Sequence, residues 1–345
     1  MRALVKSQPG PGLELMDVAE PAPAESEVLI RVLRTGVCGS DLHLERWDTW
    51  AQSVAEPPLI IGHEIFGHVA ELGSGVGRVK VGDRVSVEGH LVCQECRNCR
   101  GGRRHLCERT SIVGVHRAGG FADYVAVPAD NVWVHDADVA DDVAAIFDPL
   151  GNAVHTALTF PLAGEDVVIT GAGPIGVMAV TLARHVGARN IVVTDASDYR
   201  LALAEAAGAD LALNVARGDL QSARAELSLN DGFGVGLEMS GAPTATRDML
   251  ANLARGGRIA MLGMPSDPYA IDWNTVIGHM ITIKGIHGRR MFDTWYAMSG
   301  MLSRSPRLAA SVKNVITNRF PAERWQDAFA TTASGQCGKV VLDWS

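Results

Sequence analysis

The segment from Cys38 to Glu64 contains the residue types that a catalytic zinc ion requires. It begins with CGSDLH at residues 38–43 and ends with GHE at residues 62–64. A thiolate, an imidazole and a carboxylate are three protein ligands that a catalytic Zn²⁺ accepts while a fourth position stays open. The thiolate and the carboxylate would offset the two charges of the ion, which could then stabilise the alkoxide of a bound alcohol. We therefore predict a catalytic zinc site at Cys38, His63 and Glu64.

A hydroxyl and an imidazole follow the thiolate closely. Ser40 and His43 lie two and five residues after Cys38. An alcohol that is oxidised also loses a proton, and these two side chains could pass that proton to water. Trp47 and Trp50 come next in sequence and could form a wall of the pocket, although tryptophan at such a position is more often a packing residue.

Four of the six cysteines form a second cluster, with the spacing of a structural zinc site. In a reducing compartment such a run favours metal binding over disulfides. Four thiolates close a tetrahedral zinc ion completely. The cluster consists of Cys93, Cys96, Cys99 and Cys107.

Four arginines lie within the same loop and could compensate the thiolate charge. They are Arg97, Arg100, Arg103 and Arg104. An iron–sulfur cluster and a zinc knuckle that binds nucleic acid are less favoured alternatives. The second alternative is disfavoured because the loop is isolated, the chain is acidic and aromatic residues are few.

The composition is typical of a soluble globular protein, and the length suggests about two domains. The 345 residues include 31 basic and 39 acidic ones, and the net charge of −8 argues against nonspecific binding to nucleic acid or to an anionic membrane. Residues 1–6 have no long apolar core of the kind found in a secretory signal. No apolar run reaches the roughly 20 residues that span a bilayer. We expect a cytoplasmic protein.

The two halves of the chain have different patterns. Residues 1–146 contain many glycines and prolines of the kind that form turns. Residues 28–34 mix apolar and charged residues as a half-buried strand would. From residue 166 onward, apolar strands alternate with alanine-rich helical stretches at 177–186 and 200–207. This alternation predicts a doubly wound parallel sheet. Its six predicted strands are residues 166–170, 191–195, 210–214, 234–239, 258–263 and 281–286.

A glycine-rich turn follows the first of these strands. Its glycines are Gly171, Gly173 and Gly176, which would let backbone N–H groups approach a pyrophosphate at the start of a helix. Asp195 lies 19 residues after Gly176, where an acid would accept hydrogen bonds from the adenosine ribose. Its charge would repel a 2′-phosphate, so we predict NAD rather than NADP. Arg200 could favour NADP instead, and we rank that alternative lower.

The last apolar segment, residues 338–344, has no place in the order of the parallel sheet. We expect it to return to the first domain. The predicted domains are residues 1–147 with 292–345, and residues 148–291.

Several longer strings extend these motifs over the whole chain, and together they resemble the L-threonine 3-dehydrogenase family. This family belongs to the zinc-dependent medium-chain alcohol dehydrogenase superfamily. The resemblance implies an α/β protein with a β-rich GroES-like catalytic domain and a Rossmann coenzyme domain. The strings are residues 47–50, 88–90, 147–155, 236–243, 257–265 and 283–296.

The resemblance also implies an activity, which is the oxidation of L-threonine to 2-amino-3-oxobutanoate with reduction of NAD⁺. It implies two zinc ions per subunit, the metal ligands and the Ser40–His43 relay given above, a carboxylate near the catalytic zinc at Asp148, and a homotetramer. The NAD contacts that it implies, beyond the glycine turn, are Ile175, Asp195, Arg200, Leu262, Gly263, Met264, Ile286 and His287.

This sequence departs from the family pattern in the pocket. Ser40 stands where threonine is common, which keeps the hydroxyl of the relay. His287 stands where tyrosine is usual, Leu150 stands where phenylalanine is usual, and residues 65–68 also differ. The shape of the substrate pocket is therefore less constrained by the resemblance than its chemistry is.

Two alternative functions stay open. A polyol, butanediol or another β-hydroxy amino acid could be the substrate of the same mechanism. The protein could also be a noncatalytic NAD-binding protein that keeps the fold.

A threonine pocket needs a cation for the substrate carboxylate. We predict Arg289 for this role, with His90 as a second contact for the amino acid head group.

Overall fold

A long strand near the start of the chain organises its first half. In this computed structural model, which describes residues 1–345, strand β3 spans Glu27–Val37 and ends directly before Cys38. The strand predicted at residues 28–34 is confirmed and is longer at its carboxyl end. Most of its side chains are buried instead of alternating, because helix α4 (Asp141–Ala145) covers the second face of the sheet.

The first half contains ten strands and five α-helices, joined by turns and loops. Strand order is β2-β1-β4 in a small sheet and β10-β6-β5-β3 in the main one, where β9 also pairs with β3. Two C-terminal strands, β18 (Lys339–Asp343) and β17 (Ile316–Pro321), continue the main sheet beyond β3. The strands are β1 Arg2–Lys6, β2 Glu14–Asp17, β4 Leu59–Ile60, β5 Glu64–Leu72, β6 Arg84–Val87, β7 His90–Leu91, β8 Ser111–Ile112, β9 Tyr124–Pro128 and β10 Val132–Val134. The helices besides α4 are α1 Gly39–Arg46, α2 Thr49–Val54, α3 Arg97–Arg100 and α5 Phe147–Ala157.

The second half forms a parallel sheet of six strands, as predicted. Its order is β13-β12-β11-β14-β15-β16, the doubly wound arrangement in which ligands bind at the carboxyl ends of the strands. The strands are β11 Asp166–Thr170, β12 Asn190–Asp195, β13 Leu211–Asn214, β14 Phe233–Glu238, β15 Leu253–Met261 and β16 Thr282–Gly285. The helices between them are α6 Pro174–His185, α7 Asp198–Ala207, α8 Leu220–Glu226, α9 Pro243–Asn252 and α10 Trp273–Gly278.

Both faces of this sheet are covered by helices. Val167 and Ile169 point into one hydrophobic core, whereas Val168 between them points into another. Buried side chains on both faces explain why these strands are continuously apolar in sequence. The fifth strand ends earlier than predicted, at Met261, because the backbone N–H groups of the next two residues both donate to the carbonyl oxygen of Glu238.

The C-terminal strand returns to the first sheet, as predicted. Strand β18 (Lys339–Asp343) pairs antiparallel with residues 34–37 of β3, and β17 (Ile316–Pro321) pairs with β18. Helix α13 (Trp325–Ser334) packs on both strands. Helices α11 (Asp293–Arg304) and α12 (Pro306–Asn314) instead contact α5 and α6.

The predicted domain boundaries at 147/148 and 291/292 stay predictions. None of the thirteen α-helices is both long and apolar enough to cross a membrane.

Candidate functional site

Antiparallel strand pairing brings the predicted metal ligands together. Cys38 directly follows β3, Glu64 begins β5, and Gly36 of β3 is the register partner of Glu64. His63 precedes Glu64, and one ligand atom from each of Cys38, His63 and Glu64 lies within 4.8 Å of the others. Gly36 leaves space for the carboxylate, since a Cβ there would lie 1.9 Å from Glu64 Oε2.

Polar atoms without partners surround this cluster. His63 Nδ1, Glu64 Oε2 and Asp41 Oδ1 are buried and have no hydrogen-bond partner. Such atoms are rare in folded proteins because an unpaired buried polar group is unfavourable. The donor set and the unpaired Glu64 Oε2 fit a Zn²⁺ ion with three protein ligands.

Asp41 lies behind His63. Its Oδ1 is 3.7 Å from His63 Nδ1, and its Oδ2 accepts a hydrogen bond of 2.8 Å from the backbone N–H of Cys38. A carboxylate behind a metal-bound imidazole fixes the orientation and the tautomer of the ring. Asp41 is fully buried because it lies on the inner face of α1, three residues before Leu44.

The cluster is a strongly negative environment. Burial disfavours the imidazolium of His63, yet Asp41 and Cys38 outweigh burial and raise the pKa of His63 to about 10. Burial raises the pKa of Glu64, while Lys339 opposes that rise. Without a metal, the site would therefore retain a proton on His63, and a divalent cation would compete with this proton.

A buried lysine pairs with the carboxylate ligand. Lys339 Nζ lies 2.5 Å from Glu64 Oε1 and donates a second hydrogen bond of 2.7 Å to the carbonyl oxygen of Val37. Burial disfavours the ammonium of Lys339, but Glu64 and Cys38 raise its pKa. Lys339 stays charged and leaves only Oε2 of Glu64 free.

The prediction that Arg289 binds the substrate carboxylate is wrong. The arginine is 2% exposed, and its guanidinium forms ion pairs with Glu88 and with Asp148, whose Oδ1 lies 2.7 Å from Nη1. Trp295 Nε1 donates a hydrogen bond of 2.8 Å to the second oxygen of Glu88. With both flanks of the guanidinium paired to carboxylates, Arg289 positions Asp148 beside the metal cluster and cannot receive a substrate carboxylate.

His90 lies at the edge of this network. Its Nδ1 lies 2.9 Å from Glu88 Oε1 and 2.7 Å from Arg289 Nη2, and its ring centroid lies 6.0 Å from that of His287. Both histidines line a cavity of about 130 Å³. The assignment of His90 as a contact for the amino acid head group stays a prediction.

The two relay residues lie on one face of α1. Ser40 and His43 are three residues apart, which places them side by side on a helix. His43 is half exposed, its Nδ1 is hydrogen-bonded to Asp48, and Trp50 packs edge-on against its ring at 5.7 Å. An exposed imidazole held in this way can exchange its proton with water.

Trp47 has a packing role. The Lys6 ammonium lies 5.2 Å from the centre of its ring, and the indole packs against the core of the first half.

The four-cysteine loop has the geometry of a closed zinc site. One sulfur from each cysteine lies within 4.8 Å of the others, and no disulfide is present. The sulfurs of Cys93 and Cys107 are 3.5 Å apart, and those of Cys93 and Cys99 are 4.0 Å apart. Zn–S bonds of about 2.3 Å in a tetrahedron would place sulfurs about 3.8 Å apart.

Backbone N–H groups provide the hydrogen bonds to these sulfurs. Cys96 N donates to Cys93 Sγ at 3.4 Å, and Arg109 N donates to Cys107 Sγ at 3.4 Å. The N–H of Cys96 and that of Glu95 lower the pKa of Cys93 to about 6. The prediction that the four loop arginines compensate the thiolates is not supported by any hydrogen bond from their side chains to a sulfur.

The predicted coenzyme residues lie at the carboxyl edge of the parallel sheet. The turn after β11 contains Gly171, which has a φ of +88°, and a Cβ on Gly176 would lie 1.9 Å from the carbonyl oxygen of Gly171. Gly173 precedes α6, whose first turn contains Pro174 and Ile175. The loops after β15 and β16 reach the same edge and contain Leu262, Gly263, Met264, Ile286 and His287.

Asp195 links its own strand end to the glycine turn. Its Oδ2 accepts a hydrogen bond of 2.7 Å from Ala172 N, and its Oδ1 accepts one of 2.8 Å from Ser197 N. Arg200 Nε donates a hydrogen bond of 3.1 Å to the carbonyl oxygen of Gly335. The assignment of Arg200 as a coenzyme contact stays a prediction.

Comparison with known proteins agrees with this arrangement. Residues 24–137 match the alcohol dehydrogenase GroES-like domain, and residues 174–304 match the zinc-binding dehydrogenase family. Proteins named L-threonine 3-dehydrogenase from Streptomyces coelicolor and Saccharopolyspora erythraea are 58% and 55% identical over 345 residues. These alignments cover 100% of this chain and 100% and 99% of the two relatives.

The chain belongs to the L-threonine 3-dehydrogenase family. Solved structures of other dehydrogenases share its fold. An alcohol dehydrogenase from Escherichia coli CFT073 complexed with NADH has a TM-score of 0.89 and 27% identity, covering 100% of this chain and 99% of that one. An alcohol dehydrogenase from Thermotoga maritima has a TM-score of 0.88 and 27% identity, covering 99% and 98%.

Three buried residues of this family member were not predicted from its sequence. Asp41 had a local signal, since it lies three residues after Cys38 and could cap α1. Glu88 and Lys339 had no such signal, because their partners lie 201 and 275 residues away in the chain.

Asp41→Asn should weaken metal binding at the Cys38–His63–Glu64 cluster by about 10- to 100-fold, because the amide cannot hold the imidazole as a carboxylate does. Competition with a chelator, followed by metal analysis, measures this affinity separately from that of the four-cysteine loop. Asp48→Asn is the matched control, since Asp48 contacts His43 and none of the ligands. Equal metal loss from both variants would contradict the role given to Asp41.

Proposed function

We propose that this protein oxidises L-threonine at C3 to 2-amino-3-oxobutanoate and reduces NAD⁺ to NADH with a catalytic zinc ion. The observation that carries the proposal is the Cys38–His63–Glu64 cluster in a chain that is 51–58% identical to proteins named L-threonine 3-dehydrogenase. Cys38, His63 and Glu64 would hold the zinc ion, which when bound would supply a Lewis acid that favours loss of the C3 hydroxyl proton. The pathway would be threonine catabolism in the cytoplasm.

The residues of the chain would move the proton. The nicotinamide coenzyme, when bound, would accept the hydride from C3. Ser40 would accept the hydroxyl proton, and His43 would pass it to water. The exposed His43 ring supports the last step. Asp148, held by Arg289, would add a fixed negative charge beside the site and oppose loss of the metal.

The four-cysteine loop would hold a second, structural zinc ion. Its sulfur–sulfur distances and its backbone N–H donors support this assignment. The coenzyme would lie across the carboxyl edge of the parallel sheet, with its pyrophosphate at the glycine turn and its adenosine ribose at Asp195.

Related substrates would use the same chemistry. A polyol, butanediol or another β-hydroxy amino acid could donate hydride at the same site, and the identity of the relatives favours threonine. A noncatalytic NAD-binding role is disfavoured because such a role needs no three-ligand metal cluster beside a proton relay. With Arg289 excluded, His90 is the remaining candidate for contact with the amino acid head group.

Zinc-loaded protein should form NADH with L-threonine at a kcat/KM at least about tenfold above that with sorbitol or 2,3-butanediol, a difference of about 1.4 kcal/mol. Absorbance of NADH, followed with the three substrates in parallel, measures this ratio. A higher value for either diol would support the polyol alternative, and no turnover of any substrate would support the noncatalytic one.

Ser40→Ala should lower kcat about 100- to 10,000-fold, because the proton loses its first acceptor. Ser40→Thr is the control, since it keeps the hydroxyl, and it should retain most of the activity. The metal content of both variants should match that of the wild type. A Ser40→Ala variant with normal kcat would remove Ser40 from the relay.

The wild type should prefer NAD⁺ over NADP⁺ by at least about tenfold, or about 1.4 kcal/mol, because Asp195 repels a 2′-phosphate. Asp195→Ala should narrow this preference. The ratio of kcat/KM for NAD⁺ to kcat/KM for NADP⁺, measured for the wild type and for Asp195→Ala, tests both expectations. Equal rates of the wild type with both coenzymes would contradict the ribose assignment.

We also propose that the protein is a homotetramer. The outer strand β16 of the parallel sheet has an unpaired edge, and large apolar side chains are exposed just before it in sequence. Trp273, Ile277 and Met280 are 60%, 72% and 81% exposed, which is unfavourable unless a partner covers them. Sedimentation of the zinc-loaded protein should give about four times the 36.7 kDa mass of the chain, and a monomer would contradict this proposal.

A further inference from the structure

Residues 286–289 follow the last strand of the parallel sheet and would lie at the nicotinamide half of the coenzyme. A doubly wound sheet consists of two mononucleotide-binding halves, which bind a dinucleotide across their carboxyl ends. With the adenosine half assigned to Asp195 at the end of β12, the nicotinamide half falls to β14, β15 and β16. Residues 286–289 begin directly after β16 and include His287, whose side chain is exposed at this edge. Their position therefore bears on the nicotinamide end of the coenzyme.

The two ends of this segment are fixed by residues of their own. Ile286 is buried, and its backbone N–H donates a hydrogen bond of 2.8 Å to the carbonyl oxygen of Met261. Arg289 is held by its ion pairs with carboxylates, as described above. Between them, Gly288 has a φ of +57° and has no side chain that could anchor the backbone. The middle of the segment therefore depends on a contact from another element.

One face of helix α5 provides that contact. Asp148, Asn152 and His155 are spaced by four and three residues, which places them on the same face of the helix. Asp148 Oδ1 lies 2.7 Å from Arg289 Nη1, and Asn152 Oδ1 accepts a hydrogen bond of 3.2 Å from the same nitrogen. His155 Nδ1 lies 2.9 Å from the carbonyl oxygen of Gly288. This face of α5 therefore holds both the end and the middle of the segment.

The hydrogen bond of His155 has one possible direction. A carbonyl oxygen only accepts, so His155 Nδ1 carries the hydrogen and donates it. Burial lowers the pKa of His155, so the ring is neutral at pH 7 and its second nitrogen is bare. No other group of the chain donates to the carbonyl oxygen of Gly288. Loss of the Nδ1–H donor would therefore release the peptide bond between Gly288 and Arg289.

We propose that His155 is a positioning residue for the nicotinamide half of the coenzyme, because its Nδ1–H holds the Gly288 carbonyl and with it the backbone next to His287. His155 acts through Gly288 and not by contact with the coenzyme. The inference rests on the proposed function, since it requires that a nicotinamide coenzyme binds at this edge.

The test removes the donor and keeps the ring. His155→Phe retains a planar side chain that can pack edge-on against His105, whose ring centroid lies 6.1 Å from that of His155. The Kd of zinc-loaded protein for NADH, measured by NADH fluorescence, should rise at least about fivefold, or about 1 kcal/mol. The Kd for ADP, measured by calorimetry, should stay unchanged, because ADP contains only the adenosine half of the coenzyme.

Three further variants separate the hydrogen bond from packing and stability. His155→Asn places an N–H donor at the position of Nδ1 without the ring, and it should bind NADH more tightly than His155→Phe does. His155→Leu also lacks the donor and should behave as His155→Phe does, so the test does not depend on the folding of one variant. Thr159→Val is the matched control, since it removes a hydrogen bond of 2.7 Å to the carbonyl oxygen of His155 at the same end of α5. It should bind NADH as the wild type does.

Two kinds of failure can be told apart. If the wild type binds NADH and His155→Phe binds it equally tightly, the inference is wrong and the proposed function stands. Equal weakening of NADH and ADP binding by His155→Phe, or an NADH affinity of His155→Asn no higher than that of His155→Phe, would also overturn the inference. Absence of NADH binding by the wild type would contradict the proposed function and this inference with it.

Discussion

The structure around the candidate active site depends on the neutralisation of buried negative charge. Four carboxylates, those of Asp41, Glu64, Glu88 and Asp148, are at least nine-tenths buried, and the thiol of Cys38 lies beside them. The buried side chains of opposite charge are those of Lys339 and Arg289. Unpaired buried charges are strongly unfavourable, and even with a proton on His63 there are three positive groups against four carboxylates. A divalent metal ion at the three-ligand cluster would remove most of the imbalance, which is the physical reason to place one there.

The two cations also connect distant parts of the chain at this point. Lys339 begins the last strand, and Arg289 follows the last strand of the parallel sheet. Each extends to a carboxylate of the first half, so the charges are neutralised only when both halves and the C-terminal strand have folded together. Loss of one partner would leave an uncompensated buried charge, which typically destabilises a protein by about 3–5 kcal/mol. Folding and formation of the metal site are therefore coupled.

The coenzyme edge follows from a different constraint. Parallel strands end at one edge of the sheet, so residues that follow β11, β12, β15 and β16 meet there although they are far apart in sequence. The hydrogen bond from Ala172 N to Asp195 fixes two of these loops against each other. This edge is polar, because its backbone N–H groups and a carboxylate lie where the apolar strands stop.

The amino-acid sequence by itself determined the features that depend on short spacings and on periodic patterns. These are the two zinc-type ligand sets, the glycine turn with its distant acid, the six parallel strands and the return of the last strand to the first sheet. The tertiary structure alone decided which charged residues are buried together. Arg289 was predicted to face the substrate, yet it pairs with Glu88 and Asp148, and Lys339 was not predicted at all. Charge pairing is set by proximity in space, and partners more than 200 residues apart leave no periodic signal in the sequence.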